Sequence, residues 1–283
     1  MRGGRAAVAV LCAVVLVVPA ASQPRKLQPG INLFSKEQDI QLGREAAREI
    51  EKQVRLVQDR EIQEYVERLG RRLAARPEAD KYPYFFKVVD NREINAFALP
   101  GGPIYVHTGV VLAAENEAQL AGVIAHEISH VALRHGTNQV TKAHLVRLPA
   151  LLAGIAIGSE SLLGQLGQLG VSIGANSLLL TFSRGAERDA DLLGTRLMSG
   201  AGYNPIEMAR FFEKLETGRG LRAPQFLSSH PNPGNRRRAV EQEIRYLPRR
   251  EYQRDSEEFF RIRQLVEELS KKQEATRGDR LVR

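Results

Sequence analysis

Two histidines and a glutamate within five residues form the most chemically informative pattern in this sequence. The segment His126–His130 reads H-E-x-x-H. Residues four apart lie on one face of an α-helix, so both imidazoles would reach one zinc ion at about 2.0–2.1 Å. Glu127 projects beside them and would take a proton from a water that the ion activates. The spacing therefore predicts a helical zinc site in which Glu127 is the general base.

The same helix has a simpler interpretation in which the histidines are solvated. On a helical projection, Leu120, Ile124 and Ile128 form an apolar side. His126 and His130 point almost the opposite way, towards solvent if nothing covers them. A further ligand from another element would decide between the two interpretations.

Glu187 is the best candidate for that further ligand. A catalytic zinc ion has three protein ligands and one open position. Glu187 and Asp191 lie four residues apart on a predicted helix, and Gly194 would let that helix approach another closely. Asp191 would accept the second ring N–H of a zinc-bound histidine and so fix its tautomer. An ordinary charged helix face is the alternative.

The surrounding elements predict an α+β fold that is mainly α. Ser35 and Gln38 form a capping box at the start of the first helix, and Gly136 is the expected C-cap of the helix that carries the motif. Three short β-rich segments are expected to form a small antiparallel sheet beside that helix. The predicted strands are 84–89, 95–99 and 104–108, and the main predicted helices are 35–57, 59–75, 116–135, 186–199, 205–216 and 252–272.

Residues 1–22 are predicted to be a signal peptide. Arg2 and Arg5 precede an apolar run over residues 6–18, which small residues follow. The run is shorter than the roughly 20 residues that span a bilayer, although retention as an uncleaved anchor is the alternative. The only cysteine, Cys12, lies inside this run, so the exported chain would have no disulfide. These features predict an exported, periplasmic protein.

The charge of the chain is basic but does not indicate a nucleic-acid partner. Lys and Arg total 41 against 33 acidic residues, a formal net charge of +8. No nucleic-acid-binding module accompanies the charge, so a solvated face or attraction to an anionic membrane surface is the better interpretation. Residues 148–181 are nearly uncharged and rich in Leu, Gly, Ala and Ser. They are interpreted as buried short helices or as a surface that touches membrane or unfolded substrate.

Several spaced motifs resemble one known family. From about residue 31 to 245 the chain resembles the HtpX/BepA-type zinc endopeptidases, which include the CAAX prenyl proteases and the mitochondrial inner-membrane stress protease. The motifs that carry the resemblance are Phe34–Asp39, Asn95–Gly102, His126–His130, Ser183–Asp191, Ala201–Pro205 and Ser228–Pro231. The resemblance implies a zincin-like (gluzincin) protease domain over residues 23–248, followed by a C-terminal helix and basic tail over 249–283.

The resemblance also implies roles for particular residues. It gives the metal ligands and the general base as His126, His130, Glu187 and Glu127. His230 and Arg236 match family positions that stabilise the oxyanion, or that close the site by offering the histidine to the metal.

A last set of residues would bind the substrate. Asn95, Ala96, Phe97 and Ala98 match an edge strand that would pair with extended polypeptide. The expected function is zinc-dependent endopeptidase action on exported or misfolded proteins, with one Zn²⁺ per chain. A chaperone-like binding protein with a latent, self-closed site is the alternative.

Overall fold

The computed structural model describes residues 25–142, 181–218 and 224–281 of this chain. The predicted signal peptide and nearly all of the segment 148–181 lie outside these ranges. The described part is mainly helical with one small sheet, which confirms the predicted α+β, mainly α class. None of its helices combines the length and the apolar character that crossing a membrane requires.

The secondary-structure elements follow the predicted order closely. The strands are β1 (Phe85–Val89), β2 (Ala96–Ala98) and β3 (Pro103–His107). The helices are α1 (Lys36–Glu51), α2 (Arg60–Ala74), α3 (Thr108–Ala113), α4 (Glu117–Ala132), α5 (Arg184–Ala201), α6 (Ile206–Glu216), α7 (Pro224–Ser229), α8 (Arg236–Ile244) and α9 (Glu257–Leu281).

The start of α1 is as predicted, but its end is not. Ser35 Oγ accepts a hydrogen bond from the Gln38 N–H, and the Gln38 side chain accepts one from the Ser35 N–H, which completes the capping box. The helix ends at Glu51, before the predicted end near residue 57. By Leu56 and Val57 the chain is extended and lies beside β1, where the Val57 N–H donates to the Val88 carbonyl.

The prediction that the sheet is antiparallel was wrong for one of its two pairings. The strand order is β1-β3-β2. β2 pairs with β3 antiparallel, whereas β1 pairs with β3 in parallel, with Phe85 opposite Pro103. The tight turn at Gly101 and Gly102, both at positive φ, reverses the chain after β2. β3 therefore enters between β1 and β2 and runs in the direction of β1.

Helix α4, which carries the H-E-x-x-H motif, is the centre of the fold. It begins at Asn116, whose side chain accepts a hydrogen bond from the Gln119 N–H at 2.9 Å. All 16 of its residues are buried. It packs against α2 and the sheet on one side and against α5 and α6 on the other. Because protein surrounds the helix, His126 and His130 do not face solvent.

The prediction that Gly136 ends this helix was wrong. The cap residue is Leu133, and the next residue, Arg134, adopts a left-handed conformation with φ 55°. Arg134 Nε donates to Asp39 Oδ2 at 2.6 Å, and Nη2 donates to the Phe34 carbonyl at 2.6 Å. These contacts with the N-terminal part of the chain hold the end of the helix three residues earlier than predicted. The chain is helical again over residues 135–142.

Helix α9 contributes to the same core as the motif helix. One apolar stripe carries this packing, since Phe259, Ile262 and Val266 are fully buried and Leu269 is partly buried against them. The division between a protease domain and a C-terminal helix at residue 248 stays a prediction.

Candidate metal centre

Helices α4 and α5 lie close enough for their polar side chains to meet. A Cβ added at Gly194 would lie 3.4 Å from the backbone nitrogen of His126 and 3.1 Å from Met208 Sδ. The glycine therefore allows the close approach expected from the sequence. Ser183 caps α5 by accepting a hydrogen bond from the Ala186 N–H, which places Glu187 in the first turn of the helix.

The three residues predicted to bind metal converge in the interior. His126 Nε2 lies 3.0 Å from His130 Nε2 and 3.3 Å from Glu187 Oε2. His130 Nε2 lies 3.3 Å from Glu187 Oε1. The side chains of these residues are at most 2% exposed. Solvated histidines and an ordinary charged helix face are therefore both excluded as interpretations.

His230 completes a group of four donors. Its Nδ1 lies 3.3 Å from His126 Nε2 and 3.1 Å from Glu187 Oε1. The ligand atoms of His126, His130, Glu187 and His230 all lie within 4.8 Å of one another. A tetrahedral ion with bonds of about 2.0–2.1 Å separates its ligands by about 3.4 Å. Imidazole and carboxylate donors at these spacings fit a four-coordinate divalent transition metal.

Glu127 lies beside this group, with only weak contacts to its carboxylate from His230 and the Ala98 N–H. Neither oxygen makes a hydrogen bond of ordinary geometry within the described ranges, and both are buried. His230 Nε2 is 3.5 Å from Glu127 Oε1. Burial raises the pKa of Glu127, although His230 and His126 nearby act in the opposite direction. A buried carboxylate without a firm partner is costly, and here it is placed to accept a proton next to the metal-binding donors.

Comparison with known proteins identifies the family. Residues 58–244 of this chain match peptidase family M48. The chain belongs to this family. The beta-barrel assembly-enhancing protease of Escherichia coli is 32% identical over 205 residues, which are 70% of this chain and 42% of that protein. The mitochondrial metalloendopeptidase OMA1 of Schizosaccharomyces pombe is 31% identical over 198 residues, 69% of this chain and 56% of that protein.

These family M48 relatives are longer proteins than this chain. A putative beta-barrel assembly-enhancing protease of Vibrio cholerae is 30% identical over 240 residues, 80% of this chain and 49% of that protein. The chain thus spans about half the length of the relatives it matches. The predicted family is confirmed, and the matched stretch contains all four donors and Glu127.

In this M48 chain, Asp191 and Arg236 surround the metal-binding donors. Asp191 Oδ1 lies 3.1 Å from His126 Nδ1, the ring nitrogen that faces away from the other donors. Arg236 Nε donates to Asp191 Oδ2 at 2.7 Å, and Arg236 Nη2 donates to Glu187 Oε2 at 3.1 Å. Asp191 thus stands where the sequence placed it. Arg236 contacts the two carboxylates, and its predicted action on an oxyanion stays a prediction.

The carboxylates of this site need a cation close to them. Burial would lower the pKa of His126, but Glu187 and Asp191 outweigh it and raise that pKa to about 10. Burial also raises the pKa of Glu187, but His230 and His126 outweigh it and hold that pKa well below its usual range. Burial lowers the pKa of His130. A divalent metal ion at the centre of the donors would supply the positive charge that a proton on His126 otherwise provides.

The predicted substrate-binding segment, Asn95–Ala98, includes the edge strand β2. The Leu99 N–H donates to the Pro103 carbonyl, and the His107 N–H donates to the Asn95 carbonyl. Hydrogen-bonding directions alternate along an antiparallel pair. Ala96 and Ala98 therefore direct their main-chain groups away from β3, whereas Asn95 and Phe97 direct theirs towards it. No other described strand pairs with this outer edge.

Aromatic rings that the sequence analysis did not single out hold two of the histidines. Phe182 stacks on His130 with ring centroids 3.9 Å apart, and Phe226 stacks on His230 at 4.6 Å. Helix α7 lies directly before His230, and the His230 N–H donates to the Phe226 carbonyl. Phe182 lies far from the motif along the chain, so its spacing gave no signal.

A third histidine, which the sequence did not identify as part of the site, lies at this end of α4. His135 Nδ1 lies 2.9 Å from His130 Nδ1. The signal was present as the pattern H-E-x-x-H-x-x-x-x-H. A helix continuing through residue 135 would turn that side chain away from His130, so the spacing alone did not indicate the contact.

Proposed function

We propose that this chain is a zinc-dependent endopeptidase that hydrolyses internal peptide bonds of unfolded or extended polypeptides. One observation carries the proposal. Nitrogen and carboxylate donors of His126, His130 and Glu187 converge within 3.3 Å of one another beside the buried carboxylate of Glu127. The Schizosaccharomyces pombe relative is named a metalloendopeptidase, and this name supports the proposal.

The residues of the site divide the work of hydrolysis. Zinc in this site would supply a Lewis acid that polarises the scissile carbonyl and acidifies water. Glu127 takes a proton from the attacking water and returns it to the leaving amine. Asp191 fixes the tautomer of His126 through Nδ1, and Arg236 holds the carboxylates of Asp191 and Glu187 in place. The outward main-chain groups of β2 align the substrate by backbone hydrogen bonds.

Replacing Glu127 by Gln tests the assignment of the general base. Glu127→Gln keeps the size of the side chain and leaves the three ligands in place, so we expect its zinc content to equal that of the wild type. Casein hydrolysis should fall by about 10²–10⁴-fold, the usual contribution of a general base. Equal cleavage by the variant and the wild type would remove Glu127 from this role.

The position of His230 favours a closed resting state. Its Nδ1 lies 3.1–3.3 Å from Glu187 Oε1 and His126 Nε2, where the open position of a catalytic site would otherwise be. We propose that His230 occupies this position until substrate displaces it. The second candidate function follows from the same observation, since a permanently closed protein of this fold would bind unfolded chains without cutting them.

Replacing His230 by Ala separates the two candidate functions. A latent protease should cleave casein several times faster in the His230→Ala variant, because the open position is freed. The double variant His230→Ala/Glu127→Gln is the control and should be inactive. A pure binding protein would stay silent in both variants. A slower His230→Ala variant would instead support the predicted action of His230 on the oxyanion.

We also propose that this activity serves quality control of exported proteins. Two relatives are named as beta-barrel assembly-enhancing proteases, one of them putatively, and the sequence begins with a stretch typical of signal peptides. Mass spectrometry of the protein after expression in a Gram-negative bacterium should find a chain that starts near residue 23 in the periplasmic fraction. A full-length chain in the membrane fraction would favour the uncleaved anchor.

The net positive charge of the chain bears on its association with anionic membrane surfaces. We propose weak association with anionic membranes through exposed Lys and Arg side chains and no specific nucleic-acid binding. Cosedimentation with anionic vesicles should be lost at high salt, because screening shortens the range of the attraction. Salt-resistant binding to duplex DNA would contradict this view.

A further inference from the structure

The buried histidine that follows α4 contacts a metal-binding histidine on its outer side. His135 Nδ1 lies 2.9 Å from His130 Nδ1, and the two rings meet edge to face at 4.9 Å between centroids. The opposite nitrogen of His130, Nε2, faces Glu187 and His126. His135 is only 8% exposed. His130 is therefore held between the metal-binding donors on one side and His135 on the other.

An unusual turn delivers His135 to this place. Helix α4 ends at Leu133, and Arg134 takes a φ of 55°. A residue with a side chain pays about 1–2 kcal/mol for that conformation. Such turns persist when the surrounding structure fixes them. Here the ion pair between Arg134 and the buried Asp39 and the hydrogen bond from Arg134 to the Phe34 carbonyl do so.

The chemistry of His130 requires an acceptor at its outer nitrogen. A neutral imidazole that binds metal through Nε2 carries its proton on Nδ1. In metalloproteins this second N–H is commonly donated to a partner that fixes the tautomer and the ring orientation. His135 Nδ1 is the atom within hydrogen-bonding distance. If it accepts this proton, His135 carries its own proton on Nε2, and both rings are neutral.

We propose that His135 is a positioning residue that fixes the tautomer and orientation of His130 for metal binding. His135 would do for His130 what Asp191 does for His126, whose Nδ1 lies 3.1 Å from Asp191 Oδ1. The two metal-binding histidines of α4 would thus be oriented by partners from different parts of the chain. The inference rests on the proposed metal site and adds a residue to it.

Three substitutions at residue 135 test the proposal. His135→Leu removes the acceptor and puts an apolar side chain of similar bulk in its place. His135→Asn puts a carbonyl oxygen close to the position of Nδ1, whereas His135→Gln puts its carbonyl about one bond further out. His107→Leu is the matched control, because His107 is also a buried histidine at 6% exposure but makes no hydrogen bond through Nδ1 among the described residues.

The measurement is the zinc dissociation constant, obtained by competition with a chromophoric chelator, together with the visible spectrum of the Co²⁺-substituted protein. We expect His135→Leu and His135→Gln to weaken zinc binding by about 10–100-fold, the usual cost of losing such a partner. His135→Asn should stay within a few-fold of the wild type and keep its Co²⁺ spectrum. His107→Leu should bind zinc as the wild type does.

The outcomes separate this inference from the proposed function. Wild-type affinity in both His135→Leu and His135→Gln would overturn the role of His135 while leaving the metal site intact. Equal weakening in all three variants would reduce His135 to a packing role. Wild-type protein that binds no zinc would overturn the metal site itself. Should His135→Leu fail to fold, the comparison of the Asn and Gln variants still decides whether His130 needs an acceptor at the position of His135 Nδ1.

Discussion

A buried arginine of the site compensates the charges of two buried carboxylates. Arg236 is 4% exposed and donates to the carboxylates of both Asp191 and Glu187. Its neighbour Arg237 is half exposed and pairs with Glu213 and Glu241 at the surface. Two adjacent arginines thus differ in environment although their sequence context is nearly the same.

This difference predicts different costs for removing each arginine. Arg236→Ala removes one of the two cations beside two buried carboxylates and leaves only protonated His126, so the free energy of unfolding of the metal-free protein should fall by about 3–5 kcal/mol. Arg237→Ala removes only surface pairs, so its free energy of unfolding should stay close to that of the wild type. Urea denaturation in the presence of a chelator measures both values. If the two variants are equally stable, Arg236 does not hold the carboxylates, and its predicted role at the oxyanion becomes the stronger one.

One edge of strand β2 pairs with β3, and its other edge pairs with no other described strand. Within Asn95–Ala98, the alternation of hydrogen bonds leaves Ala96 and Ala98 with outward main-chain groups. A bound extended peptide would add a strand to this edge. The backbone of these residues would therefore contribute to binding, and their side chains much less.

A proline at residue 98 tests this use of the edge. Ala98→Pro removes the outward N–H, which also contacts the carboxylate of Glu127, and should lower kcat/KM for an extended peptide by at least about three- to tenfold, the equivalent of one hydrogen bond. Zinc content should not change. Ala98→Ser is the control, since it keeps the N–H and should stay within about twofold of the wild type. Matching kcat/KM values for the two variants would show that the substrate does not pair with β2.

Short-range patterns in the sequence predict the elements that carry the site. The four-residue spacing of His126 and His130 and the capping box at Ser35 act within one helical turn, and both are found in the structure. The pattern of an acid, a glycine and an apolar face on one helix also suggested that Glu187 lies near the two histidines, and its carboxylate is 3.3 Å from a nitrogen of each.

Features that depend on distant partners were not predictable in this way. The parallel pairing of β1 with β3 depends on which side of β1 the later hairpin packs. The turn at Arg134 depends on Asp39, which lies 95 residues away along the chain. A local signal, the glycine at residue 136, therefore suggested a different helix end. The contact between His135 and His130 follows from the same turn and was missed for the same reason.

At the scale of the molecule, the candidate metal site lies in the core of the described residues. Helix α4 is buried along its length, and α5, α6 and the sheet pack around it. Cys12 is the only cysteine of the sequence, so no intramolecular disulfide can stabilise the fold. A metal ion that joins α4 to α5 would connect two parts of the core that are about 60 residues apart in sequence.

Zinc should therefore stabilise the folded protein. At a free zinc concentration of about 100 times the dissociation constant, the free energy of unfolding should rise by about 2.7 kcal/mol. Thermal unfolding of chelator-treated protein with and without added zinc measures this effect. Glu127→Gln should show the same rise, which would exclude a contribution from self-digestion. An unfolding midpoint that does not respond to zinc would show that the ion is not part of the folded core.

The zinc content of a single ligand variant and its neighbour tests the central claim most directly. Glu187 lies among the metal-binding donors, whereas Asp189 on the same helix pairs with Arg25 near the surface. Elemental analysis should find one zinc per chain in the wild type and in Asp189→Ala, and close to none in Glu187→Ala. One zinc per chain in Glu187→Ala would contradict the proposed site.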